Sequence, residues 1–286
     1  MRDTANTYYS RAVRQCLRFL VSCTLIASAT SCRLHGQDQR SQHEKLAYAA
    51  DTANVPDAIA RVKSGEFAAV HVDLIARANA VEAIPVLKEQ FERVPDQVLK
   101  AKIASALVRM KDDKDNAYWN FLVDFAKPAL ESDAPDFIGY DSQGKAVAGP
   151  SPEFQVWAKA HNMPTEDPQY INAAGVIFLG WSRDPRAVPL LRRALSSPNH
   201  MIESFAALGL AEIGDKASIP FIIEACKKAP AEPAEVIAEA LVYFDDSEAQ
   251  KAVDDFIPKD RAKIYRDARA HGKKTPMTIL GGPNEN

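Results

Sequence analysis

Six histidines, four cysteines and three Asp-Asp pairs are the residues of this 286-residue chain that could do chemistry, and their spacing decides how much. His35, His43, His71, His161, His200 and His271 are scattered. No H-x-x-x-H pair places two imidazoles on one helical face, and no Cys/His cluster has the spacing of a zinc site. Asp112-Asp113, Asp245-Asp246 and Asp254-Asp255 carry the groups that metal or acid–base chemistry needs. The first two pairs fall at boundaries between helical units, where Asp caps the following helix and favours its positive end; capping or solvated helix ends account for all three. No G-x-S-x-G turn and no phosphate-cradling glycine loop occurs. The expectation is a chain with no catalytic residues, no metal and no cofactor.

The elements that would position any site are helical. The chain holds 46 alanines against 12 glycines. Alanine loses no side-chain entropy in a helix and glycine loses the most backbone freedom, so an all-β sandwich or a Gly-rich nucleotide-binding fold is disfavoured. With 35 basic and 38 acidic residues and 47% hydrophobic content, neither wholesale disorder nor a basic nucleic-acid binder is expected. Four cysteines are too few for a disulfide scaffold.

Residues 1–31 read as an export signal. Arg2, Arg11, Arg14 and Arg18 against Asp3 give +3, an apolar stretch follows at 19–27, and small residues run to Cys32. The apolar stretch is about half the length that a stable bilayer span needs. Ala27-Ser28-Ala29 fits ordinary secretory cleavage, which would release a soluble secreted chain. Ala29-Thr30-Ser31-Cys32 resembles a bacterial lipobox, with Ala29 where leucine is commonest. Cysteine usage favours the second: Cys16 and Cys23 leave with the signal, and Cys226 falls on the apolar face of an expected helix, far from the N-terminal segment. A lone thiol at the first position is a liability, whereas a diacylated Cys32 is an anchor. Residues 32–51 then form a polar tether, and Arg33 after the cysteine resembles outer-membrane sorting. The expected location is periplasmic or outer-membrane-anchored, with membrane contact through the N-terminal lipid.

Beyond the tether the sequence repeats. Asp184, Asp215 and Asp246 lie 31 residues apart. Five residues before each stand Leu179, Leu210 and Leu241; seven after, Leu191, Ile222 and Val253; eleven after, Leu195, Cys226 and Ile257. Each unit reads as two antiparallel helices. Asp184 is a natural N-cap with Pro185 in the first turn, Pro198-Asn199 breaks the chain, and a second helix near 200–213 stops at Gly214. The next unit breaks at Pro230 and Pro233 and resumes over 236–244. Ile84-Pro85-Val86-Leu87 matches Val188-Pro189-Leu190-Leu191 and Ile219-Pro220-Phe221-Ile222. One unit between the first two of these carries extra material at 131–167, between helices expected at 116–130 and 168–181. An earlier pair at 56–64 and 67–78 opens the array, and the last unit loses the pattern after Ile257, as capping units do. Phe178 and Trp181 read as packing between repeats, and Cys226 as a small buried hydrophobe.

The aliphatic-Pro-x-aliphatic first helix and the Ala-Leu-Gly-Leu-Ala-Glu-Ile-Gly-Asp segment (207–215) resemble HEAT-like repeats, most of all the short bacterial kind first named in phycobilin lyases. The resemblance implies an all-α fold, a right-handed α-solenoid of about six antiparallel helix pairs over 52–270, with one inserted loop or hairpin segment and a tail at 271–286. Tetratricopeptide repeats have a period of 34 and a Trp-Leu-Gly-Tyr pattern that is missing here. Deoxyhypusine hydroxylases, HEAT-type enzymes that bind iron through repeated His-Glu pairs, find only His43-Glu44 as a counterpart, in the tether. Lyase activity does not suit an exported chain.

Two regions stand outside the repeat. Residues 259–274 carry a local +5, a solvated last helix or a contact for an anionic partner. The 131–167 insertion is acidic and holds the one plausible hairpin, at 137–147, followed by a short helix opened by Ser151-Pro152. Its Phe137, Tyr140, Trp157 and His161 are the candidate partner-binding residues, since rigid rings bury much area at small entropic cost. The expected function is a non-catalytic scaffold or adaptor that binds another envelope protein and no nucleic acid. The alternative is an enzyme or enzyme subunit seated at the insertion, which a deep cleft joining His161 to carboxylates would favour.

Overall fold

A ten-residue amphipathic helix cannot bury its apolar face alone. In the computed structural model, which describes residues 54–165 and 173–270, the helices do so in stacked pairs. The first pair is α1 (Val55–Ser64) and α2 (Ala69–Ala78), the second α3 (Ile84–Arg93) and α4 (Gln97–Arg109). The third opens with α5 (Ala117–Leu130). It is then interrupted by β1 (Ile138–Tyr140), β2 (Ala146–Pro150) and α6 (Pro152–Ala160), and closes with α7 (Ala174–Trp181). There follow α8 (Ala187–Ala194) with α9 (His200–Ile213), α10 (Ile219–Lys228) with α11 (Ala231–Ala238), and α12 (Ser247–Phe256) with α13 (Lys259–Ala270). The second helices α2, α4, α7, α9 and α11 stack in that order, flanked by the first helices, α1 against α3, α5 against α8 and α10 against α12. The chain is an all-α helical repeat with one inserted hairpin. The signal at 1–31, Cys32, the tether and the tail at 271–286 lie outside the described residues.

The columns read from the sequence are the core. Leu179, Leu210 and Leu241, then Leu191, Ile222 and Val253, then Leu195, Cys226 and Ile257 are all buried. Asn199 caps α9 by accepting the N–H groups of Met201 and Ile202, and Gly214 ends it with a left-handed residue at φ +80°. The Asp column behaves less uniformly than expected. Asp246 is a true N-cap, bonded to the N–H groups of Glu248 and Ala249. Asp184 instead accepts the Arg186 N–H at 2.9 Å and its guanidinium, so α8 begins only at Ala187. Asp215 turns to Arg192, at 2.7 Å, and the Ser218 hydroxyl, and a short 3-10 turn precedes α10. Pro233 breaks nothing: it sits in the first turn of α11, where its missing N–H is harmless, and the helix tightens to 3-10 over Glu239–Tyr243.

Every residue of α7 is buried. Small residues let its neighbours come close: a Cβ on Gly180 would stand 2.2 Å from the Gly209 Cα of α9, and one on Gly175 would stand 2.5 Å from the Ala126 Cα of α5. An aromatic chain of Phe91, Phe121, Phe125, Phe178 and Trp181 then links α3, α5 and α7, with successive ring centroids 5.2 to 6.4 Å apart.

Charged side chains fill the depression where α2, α4 and α7 meet. The Lys102 ammonium lies 2.9 Å from the Trp181 ring centroid and pairs with Asp73, while Ser105 donates to the Phe178 carbonyl at 2.9 Å. Arg109 and Arg183 both reach Glu212 of α9, at 3.0 and 2.7 Å. The depression has no room for a water molecule. Burial, opposed by the Asp73 charge, pushes the Lys102 pKa down to about 8.

Two outcomes follow from this packing. Leu210→Ala should cost about 2–5 kcal/mol of stability, as buried leucine truncations do, and Gly180→Ala about 1–3 kcal/mol, as overpacking does, both read by urea unfolding. A Gly180→Ala protein as stable as the parent would refute the close approach. Lys102 supplies the second. Its folded pKa lies below its unfolded one, so the unfolded chain holds more protons between about pH 8 and the ordinary lysine value. Stability of the parent relative to Lys102→Met should therefore rise with pH through that window, by up to about 3 kcal/mol. A flat or falling difference would show that Lys102 is not buried.

Candidate functional site: the insertion and its seat

The insertion, described to residue 165, has a small core of its own. Asp141 turns the hairpin by accepting the N–H groups of Gln143 and Lys145, and these bonds hold its carboxyl below the ordinary range. Gly144 takes φ +72° there, and its backbone lies so close to Ala231 that a Cβ would meet the Ala231 nitrogen at 2.3 Å. β1 and β2 pair antiparallel, Ile138 with Pro150 and Tyr140 with Ala146, with an irregularity between. Ser151 caps α6 through the Phe154 N–H at 3.0 Å and donates to the Asp136 carbonyl at 2.7 Å. That anchors the helix against the strand entry.

Several of the aromatic residues of the insertion pack on one another. Phe154 is fully buried. Phe137 meets it edge-on at 5.1 Å, Trp157 stacks on it at 5.9 Å, and His161 stacks on Trp157 at 4.4 Å. Trp157 Nε1 donates to Asp133 at 2.8 Å, and His161 Nδ1 lies 2.8 Å from the Trp157 carbonyl. Of the four candidate residues, Phe137 and Tyr140 face inward and stay half-buried, while the stack ends in the half-buried Trp157 and the exposed His161. Nearby, Val147, Val156 and Met163 expose apolar surface. Three of the four candidates thus form one stack, and Tyr140 belongs to a different cluster.

That cluster seats the insertion on the repeat. Asp136 accepts the His200 backbone N–H and the Tyr140 hydroxyl, both at 2.7 Å, at the N-terminus of α9, where a carboxylate is favoured. His200 Nδ1 lies 2.5 Å from Glu203, and its Nε2 lies 4.0 Å from Asp136. The Tyr140 ring stands edge-on at 5.9 Å from the imidazole. Burial opposes the charge on His200, yet the Glu203 hydrogen bond and the charges of Asp136 and Glu203 outweigh it and raise its pKa. Burial raises the Asp136 carboxyl, against the pull of His200 and Tyr140. A second seat lies at α11, where the Gly144 carbonyl accepts the Glu232 N–H at 3.0 Å and Glu232 accepts the Ala146 N–H at 3.1 Å. The carboxylates expected around His161 gather instead around His200. The i, i+3 spacing of His200 and Glu203 was a visible signal, but Asp136, 64 residues earlier, had none.

The other acidic and basic features are structural. Asp113 caps α5 through the Tyr118 and Trp119 N–H groups, and Asp112 pairs with Lys88 at 3.1 Å. In α13, Arg261 pairs with Glu235, Arg266 with Asp254 and Arg269 with Asp245, so three of its basic side chains dock the last helix onto the repeat. Lys259 and Lys263 remain exposed. Burial pushes the Cys226 thiol up to about 12, which keeps it unreactive. Among the described residues, no group of three or more His, Cys, Asp or Glu side chains is placed to hold a metal ion, and no helix is long and apolar enough to cross a membrane.

The family of HEAT repeats matches residues 163–242, which include α7 to α11. No curated protein and no solved structure matches the chain. Over the matched stretch the chain is similar to HEAT repeats, and the helix pairs described on either side continue the same stacking.

Proposed function

We propose that this protein is a non-catalytic adaptor of the bacterial cell envelope, held at a membrane by a lipid on Cys32, that captures another envelope protein through the insertion. HEAT repeats are commonly protein-interaction scaffolds and generally non-enzymatic, and a stacked array presents a rigid, extended surface. The observation that carries the reading is the aromatic stack of the insertion. The repeat core is complete without it, yet the chain holds it at two seats with Trp157 and His161 at its outer end. Phe137 and Phe154 act as the support beneath them. The phycobilin-lyase kind of repeat fits the helix pattern, and the lipobox-like 29–32 segment supports anchoring over free secretion.

An enzyme at the insertion is the second reading, and Asp136, His200 and Glu203 are the residues it would use. His200 is enclosed, however, with its side chain 19% exposed beneath Tyr140 and both ring nitrogens turned to carboxylates of the protein. Little of the ring is left to meet a substrate.

With the mature chain as bait in envelope extracts, Trp157→Ala should weaken capture of the principal partner by about tenfold or more, as loss of an interface anchor does. Replacing 131–167 with a short Gly/Ser turn should abolish capture while circular dichroism stays helical. Undiminished capture by both variants would move recognition to the helices and overturn the site. Separately, the chain should fractionate with membranes and take up labelled palmitate, and Cys32→Ser should abolish both. A soluble product beginning at Thr30 would instead establish ordinary secretion.

A further inference from the structure

The two seats of the insertion differ in chemistry. At α11 the contacts run through main-chain groups of Gly144, Ala146 and Glu232, with the Glu232 carboxylate as the one charged group in them. At α9 Asp136 accepts the His200 main-chain N–H at 2.7 Å, and to this the seat adds an enclosed ionic contact 4.0 Å from the imidazole, with the Asp136, His200 and Glu203 side chains 15%, 19% and 8% exposed. The groups that face His200 are Asp136 and Tyr140 from the insertion and Glu203 from α9 itself; Cys226 and Lys228 of α10 act on Glu203 in turn.

With His200 protonated, one cation lies between two carboxylates. Once the proton leaves, two enclosed carboxylates flank a neutral ring, an arrangement that low dielectric makes costly. Glu203 cannot leave, because α9 carries it. Asp136 can, because it enters from the insertion.

We propose that His200 is a proton-controlled latch: its imidazolium, held by Glu203 of the array, keeps Asp136 and the near edge of the insertion seated, and loss of the proton releases that edge. This stands apart from the adaptor reading. Seating buries the ring, which disfavours its charge, and brings the Asp136 carboxylate to it, which favours the charge; the latch requires the second to outweigh the first, so that His200 binds its proton more tightly seated than unseated. The latch is fully closed below the unseated pKa and opens as pH rises through the higher, seated one. The Gly144 seat has no such dependence, so the release is local and the hairpin pivots about α11.

Hydrogen exchange of the full chain, corrected for the intrinsic pH dependence of exchange, tests this between about pH 6 and about pH 9. Protection of the His200 amide and of those at 138–140 should fall about tenfold, the change that one pH unit of linkage carries, while α7 stays protected. Asp136→Asn and His200→Gln should flatten that profile. Should either variant fail to fold, the imidazole titration decides, with a His200 pKa expected to be higher in the parent than in the chain whose 131–167 segment is replaced by a Gly/Ser turn. A flat profile in the parent, an unchanged slope in the folded variants, or a His200 that titrates no higher with the insertion than without it would overturn the latch.

Discussion

The array depends on how closely α7 and α9 approach. Gly180 and Gly209 meet backbone to backbone: a Cβ on Gly180 would stand 2.2 Å from the Gly209 Cα and drive the fourth helix pair away from the third, while one on Gly209 would crowd Leu191 at 3.0 Å and the Gly180 Cα at 3.2 Å. A helical repeat has no separate core for each unit, because every pair buries its apolar face against its neighbours. The contact therefore sets more than one local distance. It places Phe178 and Trp181 under Lys102 and Ser105 of α4, brings Glu212 within reach of Arg109 and Arg183, and fixes where the N-terminus of α9 stands. The seat of the insertion inherits its position from that N-terminus.

Polar groups inside the array follow the same constraint. Burying Lys102 costs free energy that Asp73 and the Trp181 ring only partly offset, which is why its proton is held less tightly than in water. Such groups bring four helices together without specifying a reaction. They also fill the depression between α2, α4 and α7, which leaves no room there for a water molecule.

Much of the architecture was legible in the sequence because it is local or periodic. Leu210 and its partners at 31-residue spacing are core residues, Gly214 is a left-handed cap, and the Gly144 turn joins two strands. What escaped reading was set by distance along the chain. Lys102, Ser105 and Arg109 share one helical face, but nothing in their spacing tells that Trp181 and Glu212 cover them. Likewise Asp136 and His200 each look solvated in isolation, and only the fold-back of the insertion joins them. The Asp column was legible as a pattern but not as a single role. Asp246 caps a helix, Asp184 turns onto Arg186, and Asp215 holds Arg192, because the neighbouring basic residue differs in each unit.

The central claim is that partner recognition resides in the aromatic insertion and not in the helix faces. Site-specific photo-cross-linking in cells tests it most directly, with the photoreactive residue placed at position 157, at 161, or at the exposed Phe221 on α10. The account predicts a discrete cross-link to another envelope protein from 157 and 161 and none from 221. Cross-links from 221 alone, or from none of the three while the protein remains folded and exported, would contradict it.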